Sequence, residues 1–275
     1  MKHTTLARRA AAAGALAAAL AASAPARAEL TAEQLAKLAQ NPVGNLVSLP
    51  LQNNTNFNTG PLNGTQNVLN IQPVIPFELS PDWNLITRTI LPLIWQPEFV
   101  PGQGSRFGLG DLQLSSFVSP AKPGANGLIW GAGAIVQAPT DTNDLGNKNW
   151  GLGPTAVLLR LKPGDPWVYG ALVNNVWSLS SSGRGGSYNN FLIQPFVNYN
   201  LPGGTYINTV PIITADWKAD SGQQWTVPLG LGVGHIFHFG KLPVNAQLGG
   251  YYNVVRPDNG PNWQLRAQVQ LMFPK

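Results

Sequence analysis

Between residues 44 and 273, apolar side chains recur at every second position through about twelve runs, and no long segment of helical period interrupts them. A strand sends successive side chains to opposite faces, so each run must bury one whole face against something apolar. The closing stretch, 262–275, shows this plainly. Trp263, Leu265, Ala267, Val269, Leu271 and Phe273 share one parity, while Gln264, Arg266, Gln268 and Gln270 share the other. Elsewhere Phe191, Ile193, Val197, Tyr199 and Leu201 oppose Asn190, Gln194, Asn198 and Asn200. Likewise Leu69, Ile71, Ile75, Phe77 and Leu79 oppose Asn70, Gln72 and Glu78. The expected strands lie near 45–54, 67–79, 83–95, 106–118, 127–138, 150–162, 167–179, 188–201, 205–217, 225–239, 242–254 and 262–273.

The polar parity carries amides rather than charges. Charged residues make up 11% of the chain, against about 25% in an ordinary soluble domain. A surface so poor in charge reads as one that largely does not face water. The connections also alternate in length. Long ones are expected near 55–66, 96–105, 139–149, 180–187, 218–224 and 255–261, and short ones at 80–82, 163–166, 202–204 and 240–241, with 119–126 intermediate. A meander with loops at one end and tight turns at the other is the plan of a bacterial outer-membrane barrel. Eight of the nine tryptophans open or close runs, with Trp130 set slightly inside. Rings with an apolar body and a polar N–H gather at the two membrane interfaces.

The fold expected is therefore all-β: an antiparallel up-and-down transmembrane β-barrel of about twelve strands, preceded by a short N-terminal helix. Residues 1–28 have the layout of a cleaved signal peptide, with Lys2, Arg8 and Arg9, an apolar run from Ala10 to Ala22, and Ala26-Arg27-Ala28 before the cleavage point. Its four basic residues, removed from 17, leave 13 against 12 acidic ones, so the formal charge falls from +5 to +1. No basic stripe remains, which excludes nucleic acid as a partner. Residues 29–43 read as a short periplasmic helix and linker, with Thr31 and Gln34 placed for a capping box, and 44–275 as the barrel. Pro50, Pro73, Pro76, Pro92, Pro154, Pro195, Pro211, Pro228 and Pro243 fall inside expected strands. Proline cannot donate to a ladder, so several bulges or shortened strands are required.

The segments "NPVGNLVSLPLQNNTNFNTGP", "LNIQPVIPFELSPDWNLITRTILPLIWQP" and "GLGDLQLSSFVSP" resemble a family of bacterial outer-membrane barrels described as meta-pathway phenol-degradation-type proteins or as transporters. The resemblance covers nearly the whole mature chain and is most distinct over 41–120. It implies an outer-membrane barrel and uptake of small organic compounds, and it transfers no functional residue. A last strand that ends on aromatic Phe273, with Pro274 and Lys275 following, also resembles the signal read by the outer-membrane assembly machinery.

Candidate chemistry is sparse. His235 and His238, at i and i+3 of a strand, point to opposite faces and cannot share a metal. Ser180, Ser181 and Ser182 sit in a Gly-rich loop, with no serine identifiable beside either histidine, so no enzyme is expected. "GLGDLQ" and "GLGVGHIF" lead into no helix, and their glycines are better read as relief of crowding. "DTNDLGNKN" at 141–149 offers weak oxygen ligands for calcium. No cofactor or metal is expected.

The residues singled out are those placed on the lumenal parity: Glu78, Arg88, Asp111, Gln113, Arg160, Gln194, Arg266, Gln268 and Gln270. Charge on the lipid face costs a few kcal/mol near the midplane, so these should turn inward and pair with one another. A twelve-stranded barrel is intermediate between eight strands, which side chains fill, and sixteen, which leave an aqueous channel. A narrow lumen passing small organic solutes without energy input is the function expected, with outer-membrane lipid and the assembly machinery as partners. The alternatives are a non-conducting scaffold or adhesin acting through its long loops, and a soluble secreted β-sandwich.

Overall fold

The computed structural model describes residues 30–181 and 186–274. The expected signal peptide, Ser182 and Lys275 lie outside the described residues. Among the described residues, one α-helix, α1 (Ala32–Ala39), precedes fifteen strand segments. They are β1 (Val47–Thr59), β2 (Gly64–Ile71), β3 (Val74–Ser80), β4 (Trp83–Gln96), β5 (Arg106–Leu109), β6 (Leu112–Pro120), β7 (Leu128–Ala138) and β8 (Gly151–Leu161). Then come β9 (Trp167–Ser178), β10 (Asn189–Asn200), β11 (Thr205–Thr209), β12 (Ile213–Asp216), β13 (Trp225–Phe239), β14 (Leu242–Val255) and β15 (Trp263–Phe273).

Three pairs, β2/β3, β5/β6 and β11/β12, are single staves interrupted once, so the segments make twelve staves. Each stave pairs antiparallel with the next, and β15 pairs with β1, which closes the barrel. Closure leaves no unpaired sheet edge.

Proline explains the interruptions. Pro73 separates β2 from β3. Pro92 sits beside the break at 110–111, where its carbonyl accepts the Gly110 N–H at 2.9 Å. Pro228 marks a register shift against β14. Pro195 and Pro211 fall opposite each other, because Ile193 pairs with Ile213 and Val197 with Thr209. Two residues without N–H cannot form the ladder there, so the stave opens over 210–212. The Val210 backbone turns to lumenal side chains instead: its N–H donates to the Tyr251 hydroxyl at 3.3 Å, and its carbonyl accepts from Arg266 Nη1 at 2.6 Å.

The first hairpin differs from expectation. The polar run after Asn54 is strand to Thr59, the next stave starts at Gly64, and only a tight turn joins them. Asn54 and Asn56 sit on the inward parity, both buried, so Asn56, which read as loop material, joins Asn54 in lining the interior.

The outer face is apolar and exposed. Leu265, Val269 and Phe273 of β15 point outward, whereas Arg266 and Gln270 between them are buried. Aromatics form two girdles on that face. At the loop end Trp95 packs against Phe107 (4.6 Å), Tyr252 against Trp263 (4.7 Å) and Trp217 edge-on against Trp225 (5.3 Å). At the turn end Trp83 meets Trp130 (5.8 Å) and Trp167 meets Tyr199 (4.8 Å). Trp83 and Trp95 bracket β4. At about 3.3 Å per residue and a tilt near 40°, they stand roughly 30 Å apart in height, close to one hydrocarbon thickness. One polar set lies on the outer face beneath the loop-end girdle: Thr55 Oγ1 donates to Asn67 Oδ1 at 2.8 Å, and Asn53 Nδ2 to Thr55 Oγ1 at 3.0 Å. These groups satisfy one another, as an apolar surrounding requires.

Helix α1 and the segment after it are built into the turn end of the barrel, where the sequence suggested a separate periplasmic linker. Leu35, Ala36 and Leu46 are buried against the inward side chains Tyr206, Ile236 and Met272. Glu33 Oε1 accepts the Gly203 N–H at 2.6 Å, and Gln40 and Asn200 exchange two amide hydrogen bonds at 2.8 and 3.1 Å. Gly234 makes room for this arrangement. A β-carbon there would collide with the Tyr206 ring, so the glycine run in "GLGVGHIF" serves close packing.

Candidate functional site

The lumen has two unlike walls. Ile86, Phe117, Val157, Leu159, Val168, Leu172 and Phe196 project inward from β4, β6, β8, β9 and β10 and form one buried cluster with Val43. The expectation of an amide-lined interior fails on that side. It holds on the other, where Gln52, Asn54, Asn245 and Gln270 are buried on β1, β14 and β15. Between plug and walls lies a cavity of about 150 Å³. Leu38 and Gln40 of the plug, Leu172 and Phe196 of the apolar wall, and Arg88, Gln194, Arg266, Gln268 and Gln270 all line it.

Five of the nine residues singled out in the sequence thus meet at one cavity. Arg266 is fixed on every side. Its Nε donates to Asn54 Oδ1 at 3.1 Å, Nη1 to the Val210 carbonyl, and Nη2 to Gln264 Oε1 at 2.8 Å, while its guanidinium sits 4.6 Å from the Tyr251 ring centroid. Among the described residues, Arg88 makes one hydrogen bond, from Nη2 to Gln72 Oε1 at 2.5 Å.

The other four lie elsewhere. Asp111 and Gln113 sit toward the loop end, both bonded to the Gln137 amide, and Asp111 Oδ2 also accepts the Asn147 N–H at 2.7 Å. Glu78 is on the inward parity, opposite Asn84, but exposed at the turn-end rim. Arg160 is a correction: it faces outward. Val157 and Leu159, on the opposite parity, take the inward positions of β8, and its cross-strand partners Leu128 and Tyr169 are exposed on the outer face. Arg160 lies near the strand end, so its side chain reaches the turn and pairs with Asp165 at 2.7 Å. The penalty for outward charge fades near the interface. The expected pairing of lumenal charges is a second correction. Among the described residues, none of these charged groups pairs with another; both cavity arginines bond to neutral partners.

The calcium reading of 141–149 also falls away. Lys148 Nζ lies 2.9 Å from Asp141 and 3.2 Å from Asp144, so an ammonium already occupies the position a cation would take, and it is held protonated by those carboxylates. Among the described residues no cluster suits a metal ion. His235 takes a 2.8 Å hydrogen bond with the Thr205 hydroxyl and stacks on Phe237, and Ser180 donates to Asn149.

Sequence reasoning missed the plug. Val43, Leu46 and Pro42 carry no periodic signal, and nothing in a chain so read says that a helix enters the barrel it precedes.

No family model and no curated protein matches this chain. Among solved structures, the COG4313 outer membrane channel of Pseudomonas putida F1 superimposes with a TM-score of 0.62 at 19% identity, over 83% of this chain and 94% of that one. The NanC porin superimposes with a TM-score of 0.51 at 10% identity, over 83% of this chain and 100% of that one. Closed antiparallel staves, paired girdles and these likenesses together give the chain the fold of an outer-membrane β-barrel.

Proposed function

We propose that this protein is an outer-membrane channel for the passive passage of small organic solutes. The observation that carries the reading is the two-walled cavity enclosed by a lipid-adapted barrel. A cavity of about 150 Å³ compares with the size of an engineered apolar cavity that admits benzene. Its apolar wall suits a ring or short aliphatic body, and its amide wall suits a polar substituent. The turn end is the periplasmic end, and the segment 32–46 is a plug that must shift, or leave a path beside it, as solute passes. Export through the signal peptide and insertion by the outer-membrane assembly machinery belong to the same reading. The likeness to a channel and a porin supports it. No catalytic step, cofactor or metal is invoked.

The test is a planar-bilayer and proteoliposome pair of measurements on purified full-length mature protein. Discrete conductance steps and entry of benzyl alcohol faster than into protein-free vesicles are expected. Silence in both, with folded protein verified by heat-modifiable gel migration, rejects passage and leaves a scaffold role through the loops.

A further inference from the structure

We infer that the lumen contains a binding site for the carboxylate of a small organic anion, with Arg88 as its principal ligand. This rests on the channel reading and names the substrate class for that same cavity.

The cavity wall holds two guanidinium groups, Arg88 and Arg266, and, among the described residues, no carboxylate and no lysine. The two arginines are not equivalent. Arg266 spends a hydrogen bond from each of its three nitrogens on Asn54, Val210 and Gln264, and its face is covered by Tyr251. It adds positive potential but is locked in place. Among the described residues, Arg88 donates once, to Gln72, and forms no ion pair. A guanidinium has five N–H donors in a planar fork, so four remain for a guest. An enclosed cation bordered by neutral amides is unfavourable until an anion or water completes its shell. A carboxylate does so best, because its two oxygens match the fork.

The opposite wall limits what else the anion carries. Leu172 and Phe196 face the same cavity. A solute that sets its carboxylate on Arg88 therefore has its body against hydrocarbon, and the volume allows about one ring. An inorganic anion would satisfy Arg88 and waste that wall. The site thus takes aromatic or short aliphatic monocarboxylates in preference to neutral analogues of the same shape.

Isothermal titration of the detergent-purified barrel with benzoate, benzyl alcohol and inorganic phosphate tests this. Benzoate is expected to bind at least tenfold tighter than either. Arg88→Gln removes that preference, and Arg88→Lys, which keeps the charge but loses the fork, retains part of it. Equal binding of benzoate and benzyl alcohol by the wild type overturns the site, and that comparison needs no variant to fold. Tighter binding of phosphate overturns the carboxylate assignment, as does an Arg88→Gln barrel with undiminished benzoate preference. A barrel that binds benzoate but conducts nothing supports the site and rejects passage. One that conducts without preferring benzoate rejects the site and leaves passage standing.

Discussion

Val43 is the residue on which the plug can be loosened most cleanly. It is 4% exposed and belongs to one buried apolar cluster with seven inward side chains of the barrel wall. Val43→Ala removes two methyl groups, about 1.6 kcal/mol of transfer free energy, and the hole left behind raises the cost to roughly 2–3 kcal/mol. Val43→Asp places a carboxylate in that cluster without a cationic partner and costs at least several kcal/mol. Both losses fall on docking of the segment 32–46, because the cluster's other members are held by the barrel ladder itself. Lys37 is the one tryptic site in that segment. Cleavage after Lys37 therefore reports how often the plug leaves, if reclosing is fast relative to cutting. With tenfold per 1.4 kcal/mol, Val43→Ala should speed cleavage by roughly 30- to 140-fold, and Val43→Asp by more than that. The same variants should show larger conductance steps. Cleavage of all three proteins at one rate would refute the claim that Val43 anchors a plug within the lumen.

Arg266→Met should destabilise the barrel by roughly 3–5 kcal/mol, since Asn54, Gln264 and the Val210 carbonyl lose a charged donor together, and urea unfolding from lipid vesicles reads the loss. Leu231 is 67% exposed at mid-stave on β13. Leu231→Arg should cost about 2–4 kcal/mol in the same assay, and Leu152→Arg, close to the loop-end girdle, about 1 kcal/mol or less. The Asp165 carboxyl is held below its usual range by the Trp167 N–H and by Arg160. Its folded pKa is depressed, so its stabilising effect is present above the ordinary carboxylate value and lost as pH falls through the depressed one. The stability gap between wild type and Asp165→Asn should accordingly be constant above about pH 5 and close toward strong acid, and a gap that widened on acidification would contradict the assignment.

Much of the barrel could be read from the chain because period-two alternation reports face directly. In β15 the Trp263-to-Phe273 parity is outward and the Gln264-to-Gln270 parity inward, as the pattern requires. The in-strand prolines called for bulges or shortened strands without saying where, and the breaks fall at 72–73, 110–111 and 210–212, inside runs that alternation alone draws as continuous. The failures have physical causes too. On β8, Val157 and Leu159 point inward and Leu158 outward, so both parities are apolar and alternation cannot say which meets lipid. That ambiguity hid the apolar lumenal wall and put Arg160 on the wrong side. The run after Asn54 looked like a loop because asparagine favours turns in water, whereas here Asn56 hydrogen-bonds with Gln264 and Gln66 inside the barrel. The cavity's arginines were visible on the correct parity. Their lack of carboxylate partners depends on where distant staves place Asp111 and Glu78, which spacing does not encode.

The account turns on which face of each stave meets hydrocarbon. A bimane fluorophore at single cysteines, read in vesicles with and without lipids brominated along their acyl chains, measures this directly. Quenching is expected at Leu265, Val269 and Leu231, with little at Gln268 and Gln270. Equal quenching at the two sets, or stronger quenching at the glutamines, would contradict the barrel's orientation and every inference drawn from its lumen.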